Sequence, residues 1–209
     1  MWVGLGDVSG KGVAAAIFMA RARSVLRSLA GRAPRASVEE SDPGRVLGAT
    51  NRELCKANET SMFSSVFLAR LHLDTGYLEY ASAGHLFPFH IKAGGSVAQV
   101  ASPSAMPVGA LADTVYTSDA LQLAPGDRLF VYSDGFTEAA NVDGVQYGDA
   151  RLGAELEAFA GAPGRELLQG LLARIRAHCA DAPQTDDIAA LLLRWCPLSG
   201  EPPPIGRQR

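Results

Sequence analysis

Two rhythms run through the pattern of apolar and polar positions. From Val13 to Leu29 an alanine-rich stretch carries Ile17, Val25, Leu26 and Leu29 at helical spacing, with Arg21, Arg23 and Arg27 mostly off that face. Gly31 and Pro34 close it, and Ala33 to Ser41 reads as a polar connector. Asp42-Pro43 then supplies an N-cap and a proline at the first helical position, opening a second helix that runs to about Lys56. The middle of the chain changes period. Phe63 to Leu73 and Tyr77 to Ala83 form a hairpin pattern about the turn Asp74-Thr75-Gly76. Leu86 to Ile91, Val97 to Ala101, Val115 to Leu123 and Arg128 to Ser133 follow as strands, with an irregular loop over Ser102 to Thr114. Two more helices are predicted, Asp149 to Phe159 and Arg165 to Cys179, the second with Leu168, Leu171, Leu172 and Ile175 on one stripe. A final strand, Asp187 to Trp195, leads into a flexible tail over 197–209 rich in Pro and Gly. Helices, then strands, then helices, then one strand predict an α+β layered sandwich rather than a βαβ alternation.

Against this pattern three acidic positions stand out. Asp7 follows Val3-Gly4-Leu5-Gly6, Asp134 follows Leu129-Phe130-Val131-Tyr132-Ser133, and Asp186-Asp187 precede Ile188 to Leu193. Each sits where a buried-strand run meets a turn. Burying an unpaired carboxylate is costly, so such residues are poor packing elements. Brought together they make an all-oxygen site, which suits Mg²⁺ or Mn²⁺. Other readings of the glycine-rich start fail on residue identity. A P-loop needs Gly and Ser/Thr where Leu5 and Gly12 stand, and a dinucleotide fingerprint from Gly4 needs glycine where Ser9 stands.

Composition narrows the picture. At 209 residues, with 47% hydrophobic and 20% charged residues, the chain fits one globular domain. Its formal net charge of −3 gives no reason to expect nucleic acid as partner. Cys55, Cys179 and Cys196 are far apart and include no C-x-x-C pair, which argues against a zinc knuckle or disulfide framework and for a reducing, cytoplasmic compartment. No apolar run reaches membrane-span length and no secretory signal is visible.

Taken together, Gly6-Asp7-Val8-Ser9-Gly10-Lys11-Gly12, Ala83-Gly84-His85, Ser133-Asp134-Gly135-Phe136-Thr137-Glu138 and Thr185-Asp186-Asp187-Ile188 resemble the metal-dependent protein serine/threonine phosphatases. Within them the chain is similar to the stage II sporulation protein E and RsbU-like branch, and Met62-Phe63, Pro107-Val108-Gly109 and Leu123 to Asp127 agree. The resemblance implies a four-layer α-β-β-α sandwich of two antiparallel sheets over residues 1–196, with two Mn²⁺ or Mg²⁺ ions between them. It implies that Asp7 bridges the ions, Val8 offers its carbonyl, and Asp134 and Asp186 complete the set. Asp187, Gly135 and the turn Ser9 to Gly12 would shape the surroundings, with Ser9 and Lys11 as phosphate contacts. It further implies hydrolysis of phosphoserine or phosphothreonine on a regulatory protein, of the kind exemplified by an anti-sigma-factor antagonist. The position two after the bridging aspartate, a histidine in eukaryotic relatives, is Ser9 here, so no leaving-group acid is assigned; His85 is the candidate. Glu138 reads as a surface or neighbouring carboxylate rather than a ligand. The family's usual strand pair before this motif, with a further acidic ligand, is missing, so the domain is expected to be incomplete at its N-terminus, with an apolar edge prone to self-association or a homodimer. The same gap motivates the rival expectation of a pseudophosphatase that binds a partner without hydrolysis.

Overall fold

The computed structural model describes residues 1–32, 42–56, 58–59, 61–101, 103, 105–184 and 186–197. Eight strands and four helices follow in the order β1 (Trp2–Val8), α1 (Val13–Arg32), α2 (Pro43–Cys55), β2 (Ser64–Leu71), β3 (Tyr77–Ala83), β4 (Phe89–Ile91), β5 (Val97–Gln99), β6 (Asp119–Gln122), β7 (Arg128–Tyr132), α3 (Asp149–Ala158), α4 (Gly164–Cys179) and β8 (Ala190–Arg194). The connector at 33–41, Thr185 and the tail at 198–209 lie outside the described residues.

The strands form two four-stranded antiparallel sheets, ordered β1-β2-β3-β6 and β5-β4-β7-β8. Their sequences explain why each sheet is covered on both faces. Along β2, Val66 and Leu68 face α1 and α2, whereas Phe67, Ala69 and Leu71 face the other sheet. Along β7, Phe130 and Tyr132 pack on α3 and α4, whereas Leu129 and Val131 turn inward. Strands apolar at every position bury both faces, and that is the signature of an interior layer. Each fully buried side chain of this size contributes roughly 1.5–3 kcal/mol. The α-β-β-α sandwich expected from the sequence is therefore present, with three apolar layers between its four strata.

Several boundaries differ from the sequence reading. The ladders of β4, β6 and β8 are shorter than the apolar runs that contain them, because Leu86, Val115 and Ile188 extend beyond the strands available to pair with them. Helix α1 continues through Gly31, tolerating a cost of about 1 kcal/mol. Its buried stripe is Ala15, Phe18, Ala22 and Ala30, with Leu26 and Leu29 half-buried; Ile17, expected on that stripe, is 65% exposed. The phase is set by Phe18, whose ring needs the deeper position. Asp42 caps α2 by accepting from the Arg45 N–H at 2.9 Å, with Pro43 opening the helix as expected.

Strand β1 forms one edge of its sheet. Beside it runs an apolar groove of about 340 Å³ between β1 and the Met19, Ala22 and Leu26 face of α1. Trp195, at the far end, ties the sheets together: its Nε1–H donates to the Leu73 carbonyl at 2.9 Å, and its backbone N–H donates to Asp127 at 3.0 Å.

Candidate metal centre

Three elements deliver the acidic residues to one end of the sandwich. Asp7 is the penultimate residue of β1, just before the chain leaves the sheet for α1. Asp134 opens a single 3-10 turn, Asp134–Phe136, with one residue between it and the end of β7. Its carbonyl accepts from the Thr137 and Glu138 N–H groups at 2.9 and 2.8 Å, and this fixes where the side chain points. Asp186 arrives in the extended segment before β8, its Oδ1 accepting from the Asp187 N–H at 2.9 Å. One carboxylate oxygen from each of Asp7, Asp134 and Asp186 lies within 4.8 Å of the others. They open into a cleft of about 410 Å³ that Val8, Ser9, Lys11, His85, Glu138 and Asp187 also line.

Local packing leaves this end little freedom. Ser133 Oγ donates to the Asp187 carbonyl at 3.1 Å and accepts from the Ala189 N–H at 3.0 Å, stitching the Asp134 turn to the Asp186 segment. A Cβ on Gly135 would land on the Asp187 carbonyl oxygen, so only glycine lets these two backbones approach.

Electrostatically the cluster is under tension. Asp7 is pushed above its ordinary value, first by burial and then by Asp134, with Asp186 and Asp187 adding to it; the Val8 N–H, 2.9 Å from its Oδ1, works the other way. Asp134 Oδ1 is buried without a hydrogen-bond partner among the described residues. Such an atom is expensive unless something compensates it. Three converging carboxylates with an orphaned oxygen are the donor set a hard divalent cation takes, so the residues present fit Mg²⁺ or Mn²⁺.

The other residues singled out by sequence are sorted by the geometry. Val8 lines the cleft. The Ser9 N–H donates to Phe63 at 2.9 Å, so across the trans peptide the Val8 carbonyl points away from β2 and is presented at the strand's open side. Ser9 Oγ accepts from the Phe63 N–H at 3.0 Å, so the hydroxyl also serves the turn. Lys11 Nζ, on a side chain 75% exposed, stands 3.8 Å from Asp186 Oδ1. Asp187 is exposed and stands outside the three-carboxylate cluster, and Glu138 lies at the rim. His85 is buried. Its Nδ1 lies 3.3 Å from the Leu86 carbonyl, and its buried Nε2 has no hydrogen-bond partner among the described residues. Burial pulls its pKa down, against the weaker opposing effects of the Leu86 carbonyl and Asp134.

Sequence reasoning missed Ser133 and Ser64, which hydrogen-bond backbone groups at the cluster, and Asn51, which holds the loop at Gly109. Buried polar residues in apolar surroundings were the available signal, and it is too common to single them out.

Residues 1–196 match the family model of stage II sporulation protein E. The chain is similar to the phosphoserine phosphatase RsbU of Bacillus subtilis, 29% identical over 142 residues that cover 68% of this chain and 40% of that protein. The curated relatives it matches are much longer, the chain spanning 32% to 40% of their lengths. Among solved structures, the SiaA-PP2C domain of Pseudomonas aeruginosa superposes with a TM-score of 0.80 at 23% identity, covering 93% of this chain and 75% of that one. The catalytic domain of the serine/threonine phosphatase PstP, solved in complex with two manganese ions, gives 0.65 at 13% identity, covering 91% and 85%. These likenesses establish the sandwich as the PP2C fold.

Proposed function

Because the chain belongs to the stage II sporulation protein E family, we propose that it is a Mn²⁺- or Mg²⁺-dependent protein phosphatase that hydrolyses phosphoserine or phosphothreonine on a regulatory protein. The observation that carries this reading is the meeting of Asp7, Asp134 and Asp186 within 4.8 Å around the orphaned Asp134 oxygen. Asp7, Asp134, Asp186 and the Val8 carbonyl would hold the ions, with Asp187 at the margin. Bound there, divalent ions supply positive charge against phosphoryl oxygens and acidify coordinated water.

The chain's own residues account for the rest. Asp7 spans the cluster from β1, and the Val8 N–H keeps its Oδ1 oriented. Lys11 reaches over the same opening and meets a phosphoryl oxygen as a point charge. No side-chain nucleophile is needed; of the cleft serines Ser9, Ser65 and Ser133, the hydroxyls of Ser9 and Ser133 are tied to backbone groups of Phe63, Asp187 and Ala189. Phe63, Leu86 and Pro107 give the cleft an apolar wall, which suits the flanks of a phosphorylated polypeptide better than a free polar metabolite. By family analogy the substrate is an anti-sigma-factor antagonist, and three free thiols fit a reducing cytoplasmic setting.

The test is turnover of a phosphoserine protein with Mn²⁺ by the wild type and by Asp7→Asn and Asp134→Asn. Activity that persists unchanged in both variants overturns the assignment.

A further inference from the structure

We propose that Ser64 and Asn51, neither of which lines the cleft, are positioning residues for the Asp7–Val8 segment, acting through the loop Pro107-Val108-Gly109. The inference rests on the metal-dependent phosphatase reading above.

The path begins at Asp7. Its carbonyl accepts from Ser64 Oγ at 2.6 Å, and Ser64 is only 2% exposed. That bond reaches from β2 to β1 from a side chain, beside the backbone ladder in which Asp7 pairs with Ser65. Its effect falls on the peptide joining Asp7 to Val8. The oxygen of that peptide is held by Ser64, and its N–H is held by Asp7 Oδ1. Rotation of this plane pulls on the Asp7 carboxylate through its bond to the Val8 N–H and, by changing φ of Val8, re-aims the next plane, which carries the Val8 carbonyl.

Ser64 is itself held by the loop. Its main chain exchanges two hydrogen bonds with Val108, each 2.9 Å. The next residue, Gly109, donates its N–H to Asn51 Oδ1 at 2.8 Å, and its carbonyl accepts from Asn58 Nδ2 at 2.9 Å. Asn51 Nδ2 donates to the Leu111 and Ala112 carbonyls at 2.8 and 3.1 Å. Asn51 is fully buried on α2, so its amide has no water to fall back on, and every bond it makes is to this loop or to Cys55 one turn away. Gly109 has φ +90°, and a Cβ there would lie 2.8 Å from the Phe18 ring and 2.9 Å from the Met62 carbonyl. Helix α1 therefore rests on the same loop that α2 grips. Residues next to a metal ligand that fix its orientation commonly change metal affinity ten- to a hundredfold when removed.

The experiment is a Mn²⁺ titration by calorimetry on the full chain, with Asp7→Asn as the control that removes a ligand. Ser64→Ala is expected to weaken Mn²⁺ binding about tenfold, Ser64→Thr to restore it, and Asn51→Ala to weaken it in the same direction. In the metal-free protein, amide exchange at Val8 and Ser9 should speed up in Ser64→Ala while Phe130 and Val131 in β7 stay as slow as before. With phosphoprotein substrate and limiting Mn²⁺, kcat should fall more than KM rises. The serine pair carries the test should Asn51→Ala fail to fold. Wild-type protein that binds no Mn²⁺ sinks the metal reading and this inference with it. Tight binding by the wild type and equal binding by Ser64→Ala sinks this inference alone.

Discussion

Strand β7 is flanked by two aspartates, Asp127 just before its start and Asp134 just past its end, and the two live under opposite rules. Asp127, at the entry, is 3% exposed and fully satisfied: its carboxylate accepts from the Ala93 and Ala124 N–H groups at 2.8 and 3.0 Å and from His90 Nε2 at 2.8 Å. Burial alone would raise its pKa, but those three donors outweigh it and the carboxyl sits below its ordinary value. Asp134, past the exit, has a buried oxygen with no donor among the described residues and two other carboxylates for company. One end is built to stabilise the fold. The other is left in deficit for something to complete, as expected where stability and function compete.

Substitutions on either side test that contrast. The largest effect should be Asp134→Asn, with activity falling on the order of 10³-fold because a cation ligand is worth several kcal/mol in the transition state. Metal-free melting temperature should hold or rise, since a crowding charge is gone; a drop of many degrees would erase the contrast. Next is Asp127→Ala, which strands three donors and should cost about 3 kcal/mol in denaturant unfolding. Mn²⁺ affinity, measured below the melting point, should be unchanged. Gly135→Ala, forced against the Asp187 carbonyl, should cost roughly 1–3 kcal/mol and weaken Mn²⁺ binding as well.

The pH response should be smaller and two-sided in EDTA. Asp7 is raised, so its contribution is present below the ordinary carboxylate pKa and is lost as pH rises through its folded value. Asp127 is lowered, so its contribution is present above the ordinary pKa and is lost as pH falls through its folded value. Thermal melts should therefore improve on mild acidification from neutrality and worsen under stronger acid. Asp134→Asn should flatten the first limb, and Mn²⁺ should reverse it; a monotonic curve would contradict the assignment. Smallest of all, Lys11→Gln should raise KM a few-fold with little change in kcat, in line with an exposed charge about 1 kcal/mol or less in effect.

Much of this was legible in the chain. Local features reveal themselves locally: strands apolar at every position, the Asp42-Pro43 cap, and acids placed where a strand ends. What could not be read depends on partners far away in sequence. Nothing around Val108 marks it as a strand mate of Ser64, and nothing around Asn51 announces that its amide closes on Gly109. Ile17 looked like a core residue because it shares helical spacing with Val25, Leu26 and Leu29, yet only tertiary packing decides whether the helix turns Phe18 or Ile17 inward. Ser9 reads as a phosphate contact in one dimension, while in three its hydroxyl also holds the Phe63 backbone.

Asp7 rides on β1 and Asp186 on the approach to β8, which pairs with β7 and comes last in chain order among the described elements. A ribosome that has not yet released β8 holds a polypeptide with at most two of the three acids. The acidic cluster therefore depends on contacts of long sequence separation, of the kind that form slowly and offer chaperones and proteases time to intervene.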